Sequence, residues 1–132
     1  MKNPTVLLVD DEPWFAEALR LSLEAEGFEF IIQTDMTSAL QFLRSNNVSV
    51  VVTDIMMPPG RDYEHIDSAE TGFHFVKLLK QEWPRLPVVC LSVVGDHRKI
   101  ADLRREGVSY LRKGEVPLET AVARIKAVAS IY

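Results

Sequence analysis

Residues 5–13 read Thr5-Val6-Leu7-Leu8-Val9-Asp10-Asp11-Glu12-Pro13, a β-branched, apolar run that stops at two carboxylates and meets a proline suited to the first turn of a helix. The apolar side chains are consecutive rather than alternating, as in a strand covered on both faces by helices. Working outward from this stretch, the same change from apolar run to helix-period segment occurs five times. The spacing predicts strands at 5–10, 28–34, 48–53, 87–92 and 108–111. It predicts helices at 13–27, 37–45, 72–83, 97–106 and from 117 onward. Gly27 and Gly107 suit the position just past a helix end, and Pro84 stops the third helix. Phe15, Leu19 and Leu23 line one face of the first helix, and Ala39, Leu40 and Leu43 one face of the second. The fourth helix offers chiefly Ile100 and Leu103. The last carries Leu118, Ala121, Val122, Ile125, Val128 and Ala129 at three- and four-residue spacing. Such alternation is the signature of βαβ units, so the expected class is α/β, a doubly wound (βα)5 sandwich around a parallel sheet. No repeat, low-complexity tract or linker divides the chain, and one domain over 4–132 with no effector domain is the expectation.

Of the 132 residues 47% are hydrophobic and 26% charged, which suits a globular domain with a core that needs no disulfide or structural metal. Cys90 is the single cysteine, which excludes an internal disulfide and a thiolate zinc cluster and suits a reducing, cytoplasmic setting. His65, His74 and His97 lack metal-ligand spacing. The apolar runs Val6-Leu7-Leu8-Val9 and Val50-Val51-Val52 are far shorter than the roughly 20 residues of a membrane helix, and no export signal opens the chain. With 15 Lys+Arg against 19 Asp+Glu, a net charge of −4 and no basic stripe, direct nucleic-acid binding is not expected.

The chemistry gathers at the predicted strand ends. Asp10 and Asp11 close the first strand, Asp54 follows the third, Ser92 closes the fourth and Lys113 lies just past the fifth. In an open parallel sheet these ends converge on one crevice. Carboxylates gathered there repel one another unless a cation offsets them, and oxygen-only ligands point to Mg2+. Lys113 adds a point positive charge and Ser92 a hydroxyl donor, a combination suited to a phosphoryl group. Taken singly, each residue has a plainer reading. Asp10 and Asp11 fit a helix cap, Asp54 a loop carboxylate, Ser92 a strand end, Lys113 a surface lysine and Tyr110 a half-buried strand aromatic.

Together, Asp10-Asp11, Asp54-Ile55-Met56-Met57-Pro58, Ser92 and Tyr110-Leu111-Arg112-Lys113 resemble the receiver domain of bacterial two-component response regulators, over nearly the whole chain. The resemblance implies a flavodoxin-like sheet in the order 2-1-3-4-5. It implies Asp54 as phosphoacceptor, with Mg2+ bound directly by Asp11, Asp54 and the backbone carbonyl of Met56 and supported by Asp10 through water. Lys113 and Ser92 would contact the phosphoryl group, and Ser92 and Tyr110 would form the switch. The implied donor is a phosphohistidine on a sensor histidine kinase or phosphotransfer protein, with small acyl phosphates able to substitute. The implied output is a changed face on the fourth helix, fifth strand and fifth helix, read by a downstream protein or effector domain or by a second copy in a phosphorylation-dependent homodimer. The resemblance thus implies a signalling switch that catalyses its own Mg2+-dependent phosphorylation and slow dephosphorylation, not a metabolic enzyme. The competing reading is a pseudo-receiver, an interaction module independent of phosphorylation. An aspartate-nucleophile phosphatase would carry a second Asp where Met56 stands, and a flavin binder would not place Asp10-Asp11-Glu12 in its phosphate loop.

Four departures from the family pattern stand out. Gly72 arrives about ten residues late, leaving an extended loop at 59–71 that carries Arg61, Asp62, Glu64, His65, Asp67 and Glu70 and is placed to screen the site or contact a partner. Gly114 replaces a common proline after Lys113, and Val93 stands beside Ser92 where a small residue is usual. Met56 and Val94 offer no polar group to position an attacking water, so slow loss of the phosphoryl group is expected. Trp14, near the start of the first helix, reads as a packing residue whose closeness to the acid pair makes it a useful optical reporter and a candidate kinase contact.

Overall fold

Val50, Val51 and Val52 are wholly buried, and the strand they form is the middle one of five. The computed structural model of the chain describes residues 3–93 and 96–129, apart from the side chains of Pro13 and Trp14, so the readings at Trp14 and Val94 lie outside the described residues. The strands are β1 (Thr5–Val9), β2 (Glu29–Gln33), β3 (Val50–Thr53), β4 (Val88–Ser92) and β5 (Ser109–Arg112), and the helices α1 (Pro13–Ala25), α2 (Met36–Ser45), α3 (Thr71–Glu82), α4 (His97–Arg105) and α5 (Leu118–Ala129). All strand pairs are parallel and the order is β2-β1-β3-β4-β5, the expected doubly wound sheet.

The sheet separates two apolar layers. Val6, Leu8, Val50, Val52, Val89 and Leu91 face Leu19 and Leu23 of α1 and Ala121 and Ile125 of α5. Leu7, Val9, Val51 and Cys90 face the other way, onto Leu40, Phe75, Leu79 and Leu103 of α2, α3 and α4. The alternation within each strand therefore sends consecutive apolar residues to opposite cores, which is why these runs are apolar throughout. The edge strand β2 departs from that expectation. Its Glu29 is exposed and Ile32 is 39% exposed, as befits the outer strand of the described sheet. In α5 only Ala121 and Ile125 are fully buried; the rest of the predicted stripe is half-buried. Among the described residues no helix is long and apolar enough to cross a membrane.

Residues 59–71 are not a plain loop but hold two short 3-10 turns, Arg61–Tyr63 and Ser68–Glu70. The outgoing end docks on the start of α2. There the Thr37 backbone N–H and hydroxyl both donate to the Pro59 carbonyl at 3.0 Å, and the Asp62 N–H donates to the Thr37 hydroxyl at 3.1 Å. Gly60 permits this approach: its φ is +88°, and a Cβ there would lie 2.5 Å from Asp35 Oδ1 and from Thr37 Oγ1. The returning end rejoins the β3 exit, where Met57 N–H donates to Ser68 O at 3.1 Å and Gly72 N–H to Ile55 O at 2.8 Å.

Candidate functional site

The sheet register places the chemistry. Val9 pairs with Thr53, and Ser92 with Arg112. The hydrogen-bond ladder then runs one residue further: Asp54 N–H donates to Val9 O, Asp10 N–H to Gln33 O and Lys113 N–H to Ser92 O, at 2.9–3.0 Å. Asp10, Asp54 and Lys113 thus each stand at the first position beyond their strand, where backbone pairing still holds them but the side chains enter the crevice.

There the Lys113 ammonium donates to Asp10 Oδ2 at 2.8 Å and to Asp54 Oδ2 at 2.9 Å. Lys113 is 5% exposed, and Asp10 and Asp54 are 3% exposed each. The second oxygen of each carboxylate is also engaged: Asp10 Oδ1 accepts from Glu12 N–H at 2.9 Å, and Asp54 Oδ1 from Ile55 N–H at 2.6 Å. The Phe15 ring lies beside the ammonium, its centroid 5.7 Å away. Among the described residues no buried side-chain nitrogen or oxygen lacks a hydrogen-bond partner.

Burial pushes the Asp10 carboxyl above its ordinary value, and the Lys113 hydrogen bond and the Glu12 N–H only partly offset this. Burial acts on the Lys113 ammonium in the opposite sense, but its hydrogen bonds to Asp10 and Asp54 and their charges outweigh it and hold it above the usual lysine range. Cys90, on β4 beside Asp54's strand, is driven far up by burial, so it is a protonated packing residue. Lys113 is thus buried rather than a surface lysine, and Asp54, though it stands just past its strand, is buried as well.

Ser92 is fully buried, and its backbone carbonyl accepts from both Lys113 N–H and, at 3.4 Å, the Tyr110 hydroxyl. Tyr110 is half-buried, with the Arg104 guanidinium 5.9 Å from its ring centroid. Burial raises the Tyr110 phenol. Met56 and Val93, past the ends of β3 and β4, are 49% and 55% exposed. Asp11 is exposed, so the buried part of the crevice holds two carboxylates, Asp10 and Asp54, around one lysine. Among the described residues no three His, Cys, Asp or Glu side chains stand close enough to hold a metal ion by themselves. The donor set is still all oxygen, and two buried carboxylates share a single ammonium. That excess negative charge suits a hard divalent cation that keeps part of its water shell.

The sequence signalled Asp10, Asp54 and Lys113 but not Phe15 beside the lysine, nor the return of Gly72 onto the phosphoacceptor candidate's own backbone. A Cβ at Gly72 would lie 2.4 Å from Asp54 O and from Ile55 Cα. The late glycine carried that signal, since only a residue without a side chain fits so close to another backbone.

Comparison with known proteins agrees with this architecture. The family model for the response regulator receiver domain matches residues 6–125. The response regulator GtcR of Aneurinibacillus migulanus is 38% identical over 126 residues, which cover 95% of this chain and 47% of that protein. The probable transcriptional regulatory protein TcrX of Mycobacterium tuberculosis is 34% identical over 126 residues, covering 93% and 48%. The chain thus spans about half the length of these curated relatives. A putative response regulator from Chloroflexus aurantiacus superposes with a TM-score of 0.79 at 26% identity, over 98% of this chain and 99% of that one. The non-phosphorylated HemR receiver domain from Leptospira biflexa shares the fold with a TM-score of 0.80 at 21% identity, over 98% and 96%. With the family match running from the first strand into the last helix, and the fold it entails in place, the chain belongs to the response regulator receiver domains of two-component systems.

Proposed function

We propose that Asp54 accepts a phosphoryl group from a phosphohistidine of a sensor histidine kinase or phosphotransfer protein. The observation that carries this is the buried Asp54–Lys113 contact at 2.9 Å at the end of the central strand. A carboxylate is a weak nucleophile, so attack on phosphorus needs positioning and charge neutralisation more than a base. Ile55 N–H and the Lys113 ammonium hold one Asp54 oxygen each and so fix the plane of the carboxylate. In the transfer an Asp54 oxygen bonds to phosphorus while the donor's P–N bond breaks and its electron pair returns to the imidazole. Lys113 then pairs with the phosphoryl oxygens. Mg2+, held by Asp11, Asp54 and the Met56 carbonyl with Asp10 through water, would supply further neutralisation.

The added charge is read through Ser92 and Tyr110. Ser92 donates its hydroxyl to the phosphoryl group, and Tyr110, already bonded to the Ser92 carbonyl, repacks against β4. The face of α4, β5 and α5 then meets a downstream protein, an effector domain or a second copy. The unit that does this is a single domain over 4–132 with its extended segment at 59–71, acting in the cytoplasm.

The test is the intact mass of the protein after incubation with Mg2+ and a small acyl phosphate, beside Asp54→Asn and a chelator-treated sample. One phosphoryl mass gained by the parent alone is the expected result. No gain in the parent, with Mg2+ shown to bind or not, overturns the assignment and favours a module that works without phosphorylation.

A further inference from the structure

We propose that residues 59–71 are a strap that pins α4 in the arrangement of the unphosphorylated chain, through Glu70 and Lys99, and thereby opposes phosphorylation at Asp54. The inference rests on the proposed role of Asp54.

Few apolar contacts hold α4. It buries only Ile100 and Leu103, where α2 buries Met36, Thr37, Ala39, Leu40 and Leu43. Only Leu103 joins the larger apolar cluster. The seam between α3 and α4 is open as well: Lys99, with Phe73, His74 and Leu103, lines a groove of about 420 Å³ there. A polar tie adds to these few apolar contacts. The Lys99 ammonium pairs with both carboxylate oxygens of Glu70, the last residue of the second 3-10 turn, and lies 4.9 Å from the centroid of the Phe73 ring on α3.

The other side of the same short segment rests on the site. Gly72, two residues after Glu70, donates to Ile55 O at 2.8 Å, with room for no side chain against the Asp54 and Ile55 backbone. Residues 70–73 thus touch the backbone of the acceptor and the ammonium of Lys99 at once. The outgoing end of the strap is fixed to α2 through Thr37 and Pro59, so the segment cannot simply follow α4 if that helix shifts. An adjustment at 54–55 must act on the Glu70–Lys99 pair, and by reciprocity a pair that favours the unphosphorylated arrangement disfavours the phosphorylated one.

The experiment is amide hydrogen exchange of the unphosphorylated full chain, read over residues 97–105, together with the rate of phosphoryl gain from a small acyl phosphate followed by intact mass. For a half-exposed ion pair the expected acceleration of exchange is about two- to fivefold in Glu70→Gln. It is larger in Lys99→Met, which also loses the aromatic contact. The swapped pair E70K/K99E exchanges more slowly than E70K or K99E alone. Phosphoryl gain accelerates by a similar factor in E70Q. Unchanged exchange over 97–105 in E70Q, exchange accelerated equally in every helix, or faster exchange without faster phosphorylation each overturns the strap. Should no variant, parent included, gain a phosphoryl group, the assignment of Asp54 fails, while the exchange data still report whether α4 is pinned.

Discussion

Replacing Lys113 by methionine should destabilise the chain strongly at neutral pH and progressively less on acidification. Lys113 is the one ammonium between two carboxylates whose residues are 3% exposed, and methionine keeps its bulk but not its charge. Removing one partner from a buried ion pair leaves the others uncompensated and costs about 3–5 kcal/mol. For a 132-residue domain this lowers the melting temperature by roughly 10–20 °C. The pH dependence follows from Asp10, whose carboxyl burial already raises above its ordinary value of 3.8. A carboxyl raised on folding contributes stability that is complete below its unfolded value and is lost as pH climbs through its folded value. Without Lys113 nothing offsets that burial as strongly, so the loss extends over a wider pH range and acid restores stability by protonating Asp10. The double variant D10N/K113M should therefore be more stable at neutral pH than K113M. The assay is thermal unfolding by circular dichroism between pH 7 and pH 5 in the presence of chelator, so that no bound cation offsets the carboxylates. A K113M chain that melts within a degree or two of the parent at pH 7, or that loses further stability on acidification relative to the parent, refutes the reasoning. So does strict additivity of D10N and K113M.

The two glycines near the site should behave differently from each other. Gly72→Ala drives a Cβ to 2.4 Å from the backbone of Asp54 and Ile55 and should cost about 1–3 kcal/mol or more in urea unfolding. Gly114→Ala, at φ +89° with nothing within 4 Å of its Cβ, should cost about 1–2 kcal/mol from backbone strain alone. Met56, two residues past Asp54 and 49% exposed, is apolar and offers an attacking water no partner, so the phosphoryl group should be lost slowly from purified protein in Mg2+ buffer. Met56→Asn should hasten that loss by about tenfold or more, measured by intact mass over time, and rapid loss from the parent would contradict the reading. Thr37→Val removes the hydroxyl that both donates to Pro59 O and accepts from Asp62 N–H, and should cost about 1–3 kcal/mol and speed proteolysis within 59–71.

Much of the fold was legible in local pattern. The runs at 5–9, 50–53 and 88–92 are apolar at every position because alternate residues enter two different cores, and Gly27 and Gly107 mark helix exits with φ of +94° and +84°. The edge character of β2 was not legible: Phe30, Ile31 and Ile32 resemble a central strand, and only the strand order shows that it lies at the edge of the sheet. The extended segment at 59–71 read as a loop because its two 3-10 turns are too short to show a period, and because its anchors, Thr37 and Ile55, lie outside it.

By itself the sequence determined which residues end the strands, since hydrophobic periodicity is a property of neighbours along the chain, and this placed Asp10, Asp54 and Lys113 at one edge of the sheet. Only the tertiary structure decided what they do to one another. Lys113 reaches Asp10 across 103 positions and Asp54 across 59, and it was parallel pairing of β1, β3, β4 and β5 that brought the three within hydrogen-bond distance while leaving Asp11 exposed. The pairing of Glu70 with Lys99, 29 positions apart, has the same origin. Such contacts are set by how the helices and sheet pack as a whole, and no local pattern in the chain encodes that packing.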